Sequence, residues 1–91
     1  MEIRIGQVTH YYNRIGVAVL LLTGELRQGD TIHILGRTTE LSQRVFSLEV
    51  EHRRIYSATS GMEIALKVDE PVRAGDKVYK VVELEAEAQP G

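Results

Sequence analysis

The chain alternates apolar and polar positions from its start, with Ile3, Ile5 and Val8 on one side of an extended segment and a slip of phase at Gly6. Successive strand side chains point to opposite faces, so the pattern predicts a first strand with a bulge or bend inside it. Tyr12-Asn13-Arg14-Ile15-Gly16 holds Asn and Gly, which tolerate positive φ, and predicts a turn into the run Val17-Ala18-Val19-Leu20-Leu21-Leu22. Thr23-Gly24-Glu25 breaks that second strand, Leu26 resumes the apolar pattern, and Gln28-Gly29-Asp30 turns the chain into a third strand over 31–35. Leu41 and Val45 share one parity while Phe46, Leu48 and Val50 share the other, which predicts a long fourth strand kinked near Arg44. Ser57-Ala58-Thr59-Ser60-Gly61 reads as a loop, Ile64, Leu66 and Val68 as a fifth strand ended by Asp69-Glu70-Pro71, and 77–82 as a sixth launched by Gly75-Asp76. No segment carries a convincing helical period.

Six short strands parted by Gly, Asn, Asp and Pro signals predict an all-β fold, and closure into a small six-stranded antiparallel barrel is the expected architecture. Closure removes exposed strand edges, which a helix-free chain of 91 residues would otherwise have to blunt by other means. The expected organisation is one domain over 1–82 and an acidic, fraying tail over 83–91.

Charge adds little pull in any direction: eleven Lys and Arg stand against thirteen Asp and Glu, a formal −2. Glu83, Glu85 and Glu87 in the tail account for the sign, since without them the charge is +1. No whole-molecule field draws the chain to nucleic acid or membrane, so charge-driven contacts must be local. The absence of cysteine excludes disulfides, thiolate metal sites and thiol nucleophiles, and suits a reducing compartment. The first residues lack the basic start and apolar core of a signal peptide, and the run Val17 to Leu22 is far below the roughly 20 residues that span a bilayer. A cytoplasmic protein with no membrane contact is expected.

Two segments repeat one pattern: Leu26-Arg27-Gln28-Gly29-Asp30-Thr31-Ile32 and Val72-Arg73-Ala74-Gly75-Asp76-Lys77-Val78. The leading apolar residue plugs the core, Gly takes a backbone conformation that a Cβ opposes, and the Asp carboxylate accepts turn amides. Gly24, Gly29, Asp30, Gly61, Gly75 and Asp76 are therefore expected to be structural turn residues, and the two aspartates not to be a catalytic pair.

The same residues carry a family resemblance. Gly16-Val17-Ala18-Val19, Gly24-x-Leu26-x-x-Gly29-Asp30-x-Ile32, Phe46-Ser47-Leu48-Glu49-Val50, Gly61-x-x-Ile64-Ala65-Leu66 and Val72-x-x-Gly75-Asp76-x-Val78 together resemble the second, β-barrel domain of translational GTPases such as elongation factor Tu. Small free-standing translation elongation factor-like proteins are similar too. The resemblance implies a barrel that contacts tRNA, the ribosome or a ribosome-associated protein. It implies no nucleotide site, because no Gly-x-x-x-x-Gly-Lys-Ser/Thr phosphate loop is present.

Two clusters offer contacts. Tyr11, Tyr12, Asn13 and Arg14, next to His10, would stack a base beside a phosphate-pairing guanidinium, or equally would pack and shield a strand end. His52, Arg53 and Arg54 would meet phosphate or an acidic partner, or equally form a solvated strand end beside Glu49 and Glu51. His10, His33 and His52 fall on separate strands without a second close ligand pair, so no metal or other cofactor is expected. No Gly-x-Ser-x-Gly elbow or other activated nucleophile points to catalysis.

Both faces of the second strand are apolar, whereas a small barrel has one interior. Ala18, Leu20 and Leu22 are the expected outer set, there to meet a second copy or a partner protein. Two functions therefore stand: an RNA- or ribosome-binding module of translation, or a protein-interaction barrel accessory to a separate enzyme. Neither is catalytic.

Overall fold

A computed structural model describes residues 1–82, built of β1 (Glu2–Tyr12), β2 (Val17–Leu22), β3 (Leu26–Arg27), β4 (Thr31–Leu35), β5 (Glu40–Arg44), β6 (Leu48–Val50), β7 (Arg53–Ile55), β8 (Ser57–Ala58), β9 (Glu63–Lys67) and β10 (Lys77–Val81). The tail expected over 83–91 lies outside the described residues. All pairings are antiparallel.

The all-β class stands, but the closed six-stranded barrel does not. One eight-stranded sheet runs β5-β4-β10-β1-β2-β9-β6-β7, and a separate pair joins β3 to β8. The ladder ends at β5 and β7 without joining them. The expected long fourth strand is really two elements: the chain leaves the ladder between Arg44 and Leu48, so β5 pairs with β4 while β6 pairs with β7 and β9. Each open edge is protected in another way: β7 is three residues long and presents exposed Arg53 and Arg54, while β5 turns Glu40, Ser42 and Arg44 outward. A buried amide bridges from β5 to the segment after β9. Gln43 Nε2 donates to the carbonyl of Lys67 at 3.0 Å, and its Oε1 accepts the Asp69 amide at 2.7 Å.

The core is wholly aliphatic. Ile5, Val8, Leu20, Leu22, Leu26, Ile32, Ile34, Leu48, Ile64 and Val78 are all essentially inaccessible, and no aromatic ring joins them. Tyr11 packs half-buried against this core, while Tyr12, Phe46 and Tyr56 are exposed. The parity expected for β2 is reversed. Ala18, Leu20 and Leu22 are buried in the core, and Val17, Val19 and Leu21 face outward. Pairing sets this: Leu20 lies opposite Val8 and Ile64, whose side chains are also fully buried, so register rather than residue type chooses the inward face.

The repeated Gly-Asp segments form one device twice. In each, the Asp amide donates to the carbonyl three residues back (Asp30 to Arg27, 3.1 Å; Asp76 to Arg73, 3.0 Å), and its Oδ2 accepts that Arg's amide at 2.8 Å. Gly29 and Gly75 take φ of 95° and 96°, the position a type II turn reserves for glycine. Each turn also exchanges two backbone hydrogen bonds with one buried valine, Gly29-Asp30 with Val45 and Gly75-Asp76 with Val8. The strands that follow, β4 and β10, pair with each other, so β5-β4 and β10-β1 are related by a local pseudo-twofold. Asp30 and Asp76 stand at two separate turns and are not paired with each other. Gly61, at φ 92°, donates to the carbonyl of Leu22, and the adjacent Thr23 amide reaches Ile5 beside Gly24, so these glycines also serve the turn framework.

Candidate functional site

The outward face of β2 and its neighbours brings together residues that are distant in sequence. Read across the ladder, His10, Val19, Ala65, Glu49 and Arg54 are successive Cα partners on β1, β2, β9, β6 and β7. A second row runs Tyr12, Val17, Lys67, and a third Gln7, Leu21, Glu63. Ala65 is the smallest side chain in the first row, so the face dips there between Val19 and Glu49. Two open depressions meet at that dip. One, about 470 Å³, is lined by Val19, Glu49, Glu51, Met62, Glu63 and Ala65; the other, about 400 Å³, by Tyr12, Ile15, Val17, Val19, Glu49 and His52.

The side chains around this groove are held by specific contacts. The β1 register shifts between Val8 and His10, and the bulged Thr9 puts its hydroxyl 3.2 Å from the Val19 carbonyl and 3.3 Å from Glu63 Oε2. Beyond the bulge, the rings of His10 and Tyr12 stack with centroids 6.2 Å apart and planes 9° apart. Across the groove, Glu51 and His52 form the two-residue loop of the β6-β7 hairpin, since Val50 pairs with Arg53. Their φ angles are 50° and 67°, as a type I′ turn demands, although neither is Gly or Asn. Two such left-handed residues cost about 1 kcal/mol each relative to glycine. The double substitution E51N/H52G, which installs the Asn-Gly pair that this turn favours, is therefore expected to raise stability by about 1–2 kcal/mol in urea denaturation. An unchanged midpoint would show that the loop carries no such strain.

The sequence-predicted residues divide. Tyr12 and His52 come together at opposite walls of one depression. Tyr11 and Asn13 line a different hollow with Thr38, Thr39 and Arg73. Arg14 is exposed in the turn after β1, and Arg53 is exposed on the β7 edge. Arg54 lies over the Tyr56 ring, 6.0 Å from its centroid. None of Arg14, Arg53 and Arg54 lines the hollows that Tyr11 and Tyr12 line. Sequence reasoning missed Glu49, Met62, Glu63 and Ala65. For Glu63 and Ala65 the signal was present in β9, where the inward parity of Ile64 and Leu66 sends Glu63, Ala65 and Lys67 outward.

Among the described residues, no group of three or more His, Asp or Glu is placed to hold a metal ion. No helix there is long and apolar enough to cross a membrane.

An open, coiled antiparallel sheet with an apolar outer groove is the class of structure these features define, and comparison with known proteins shows where it recurs. An uncharacterized protease of Methanocaldococcus jannaschii is 36% identical over 83 residues, covering 90% of this chain and 20% of that protein. A collagenase of Porphyromonas gingivalis is 38% identical over 81 residues, covering 87% of this chain and 20% of its own length. The chain thus spans about a fifth of the length of the curated relatives it matches. Among solved structures, the C-terminal domain of a Geobacillus thermoleovorans protein assigned to the U32 peptidases superposes with a TM-score of 0.82 at 20% identity, covering 87% of this chain and 92% of that one. GDP-bound aIF5B from Aeropyrum pernix gives 0.62 at 18% identity, covering 89% of this chain and 15% of that one. No protein-family model matches the chain.

These findings overturn the elongation-factor resemblance and, with it, the assignment to translation and RNA binding. The relatives in sequence are named as a protease and collagenases, and the stronger structural likeness is to the peptidase C-terminal domain. The resemblance rested on Gly-Asp turns and strand-bounding glycines, which the structure shows to be backbone devices of the fold. Such devices recur wherever the fold does, whatever its task.

Proposed function

We propose that this domain is a non-catalytic accessory module of a peptidase-type protein, carried beside a separate catalytic part and contributing contact with polypeptide. The observation that carries the reading is the extent of the sequence match: nearly all of this domain aligns at 36% identity with only a fifth of a protein named a protease. The full likeness in both directions to an isolated C-terminal domain supports it, because that domain was a structural unit by itself. Protein contact is favoured over nucleic acid by the near-neutral charge and by the carboxylates that border the apolar groove.

The test has two arms. The purified chain, incubated with casein, gelatin and short fluorogenic peptides, is expected to release no product above a blank. Deleting the matching segment from the Porphyromonas gingivalis collagenase is expected to lower turnover of large protein substrates about tenfold or more while short-peptide turnover persists. Hydrolysis by the isolated chain that disappears on substitution of its own residues would overturn the proposal, as would a deletion that abolishes both activities in a folded protein.

A further inference from the structure

The groove on the outer face has a floor and a rim of different chemistry. Val19, Ala65 and Met62 form the floor, with Val17 and Ile15 continuing it toward Tyr12. Glu49, Glu51 and Glu63 border it, and all three are exposed. The ion pairs among the described residues are Arg27 with Glu25, His33 with Glu2 and Lys80 with Asp30, so none of these rim carboxylates is neutralised by one. The cationic groups nearby are otherwise engaged or lie toward the Tyr12 end: His10 is stacked on Tyr12, Arg54, the cross-strand neighbour of Glu49, lies over Tyr56, Lys67 shares a small hollow with Val17, Glu49 and Ala65, and His52 caps the hairpin.

We propose that this groove binds an extended segment of a partner polypeptide in which a Lys or Arg and an apolar residue stand two positions apart. A Lys or Arg carries an aliphatic stem and a charged head, which suits a floor of Val, Ala and Met overhung by carboxylates. The two depressions share Val19, Glu49, Glu51 and Ala65, so one strand crosses both. Side chains on one face of such a strand recur about every 7 Å, which places a basic residue at the Glu49-Glu63 end and an apolar one against Tyr12 and Ile15. Nucleic acid and acidic peptides would meet the rim charge unfavourably, and a second copy docked by the same face would set carboxylates against carboxylates.

The experiment is an NMR titration of the full chain, following backbone amides, with the peptide Ac-Ser-Lys-Ser-Val-Ser-NH2, whose Lys and Val share one face when extended. Shifts are expected to centre on Val19, Glu49, Glu63 and Ala65, with affinity falling as salt is added. The double variant E49Q/E63Q should keep the wild-type spectrum elsewhere and bind about five- to tenfold more weakly, the sum of two exposed charge pairs. Ala65→Leu fills the dip and should abolish binding; were that variant unfolded, the glutamine pair decides the question alone. Equal binding of Ac-Ser-Glu-Ser-Val-Ser-NH2 would overturn the proposal. So would shifts confined to the β7 edge, dimerisation of the free chain through this face, or the absence of shifts at millimolar peptide. The inference rests on the accessory reading's contact with polypeptide and names its chemistry; peptide binding here and the hydrolysis and deletion tests above are measured separately, so either can fail alone.

Discussion

Lysine at position 20 should unfold the chain at room temperature, whereas lysine at position 21 should leave it folded. Leu20 is fully inaccessible and faces Val8 and Ile64 in the ladder, both equally buried. Truncating a leucine there costs about 2–5 kcal/mol, and an unpaired ammonium in the aliphatic core adds several more. A domain of this size has a net stability of about 5–14 kcal/mol, so the sum consumes most or all of it. Leu21 is 39% exposed and lies opposite Glu63, where a lysine would stay in water beside a carboxylate. Circular dichroism melts distinguish the two: loss of cooperative unfolding is expected for Leu20→Lys, and a midpoint within a few degrees of wild type for Leu21→Lys. A folded Leu20→Lys protein would mean that the register of β1 against β2 is not the one described.

Gly6→Ala is expected to cost about 3 kcal/mol and lower the melting midpoint by about 15 °C. Gly6 is buried at the β1 bulge, paired with Val78 on one side and Leu22 on the other. A Cβ there would lie 2.5 Å from the Leu21 carbonyl oxygen and 3.2 Å from the Leu22 Cα. Both are backbone atoms, so relief requires the β1-β2 ladder to move rather than a rotamer to change. Gly29→Ala is a useful contrast. Its φ is positive, but nothing lies within 4 Å of the added methyl, so only the conformational penalty of about 1–2 kcal/mol applies. Equal midpoints for the two variants would show that close approach at Gly6 is not what glycine provides.

Strands with one apolar face were legible in sequence almost to the residue, as β4, β9 and β10 show. In β2 alternation had no information to give, since Val17, Val19 and Leu21 are as apolar as Ala18, Leu20 and Leu22. Only the partner strands decide between those sets, and register is a long-range property. The β6-β7 hairpin escaped notice because its turn is Glu51-His52 instead of a glycine-bearing pair. Failure of closure was hidden for a related reason: the break between β5 and β6 sends them to different neighbours, and a local phase slip reads the same whether a strand bends or ends. For the groove, Tyr12 and His52 were each singled out, yet their meeting depends on four intervening pairings that no local pattern encodes. The apolar outer face was anticipated as a kind of surface, but on the wrong residues of β2.

The central place of β1 and β10 in the sheet has a consequence for how the chain acquires its fold. β10 pairs along its whole length with the first half of β1, from Glu2 with Val81 to Gln7 with Lys77, and the Val82 amide closes the end on the Met1 carbonyl at 2.7 Å. Within this domain β1 therefore waits for β10, and β4 gains its inner neighbour only when β10 arrives. During translation the β1-β2-β9 half and the β4-β5 hairpin can form as separate ladders, linked by the Gln43 hydrogen bonds to Lys67 and Asp69, but no strand pairing joins them until residues 77–81 have cleared the ribosome. Nascent chains truncated before that point would carry two unpaired inner edges, so cooperative resistance to proteolysis should appear in a single step once residues 77–81 have emerged.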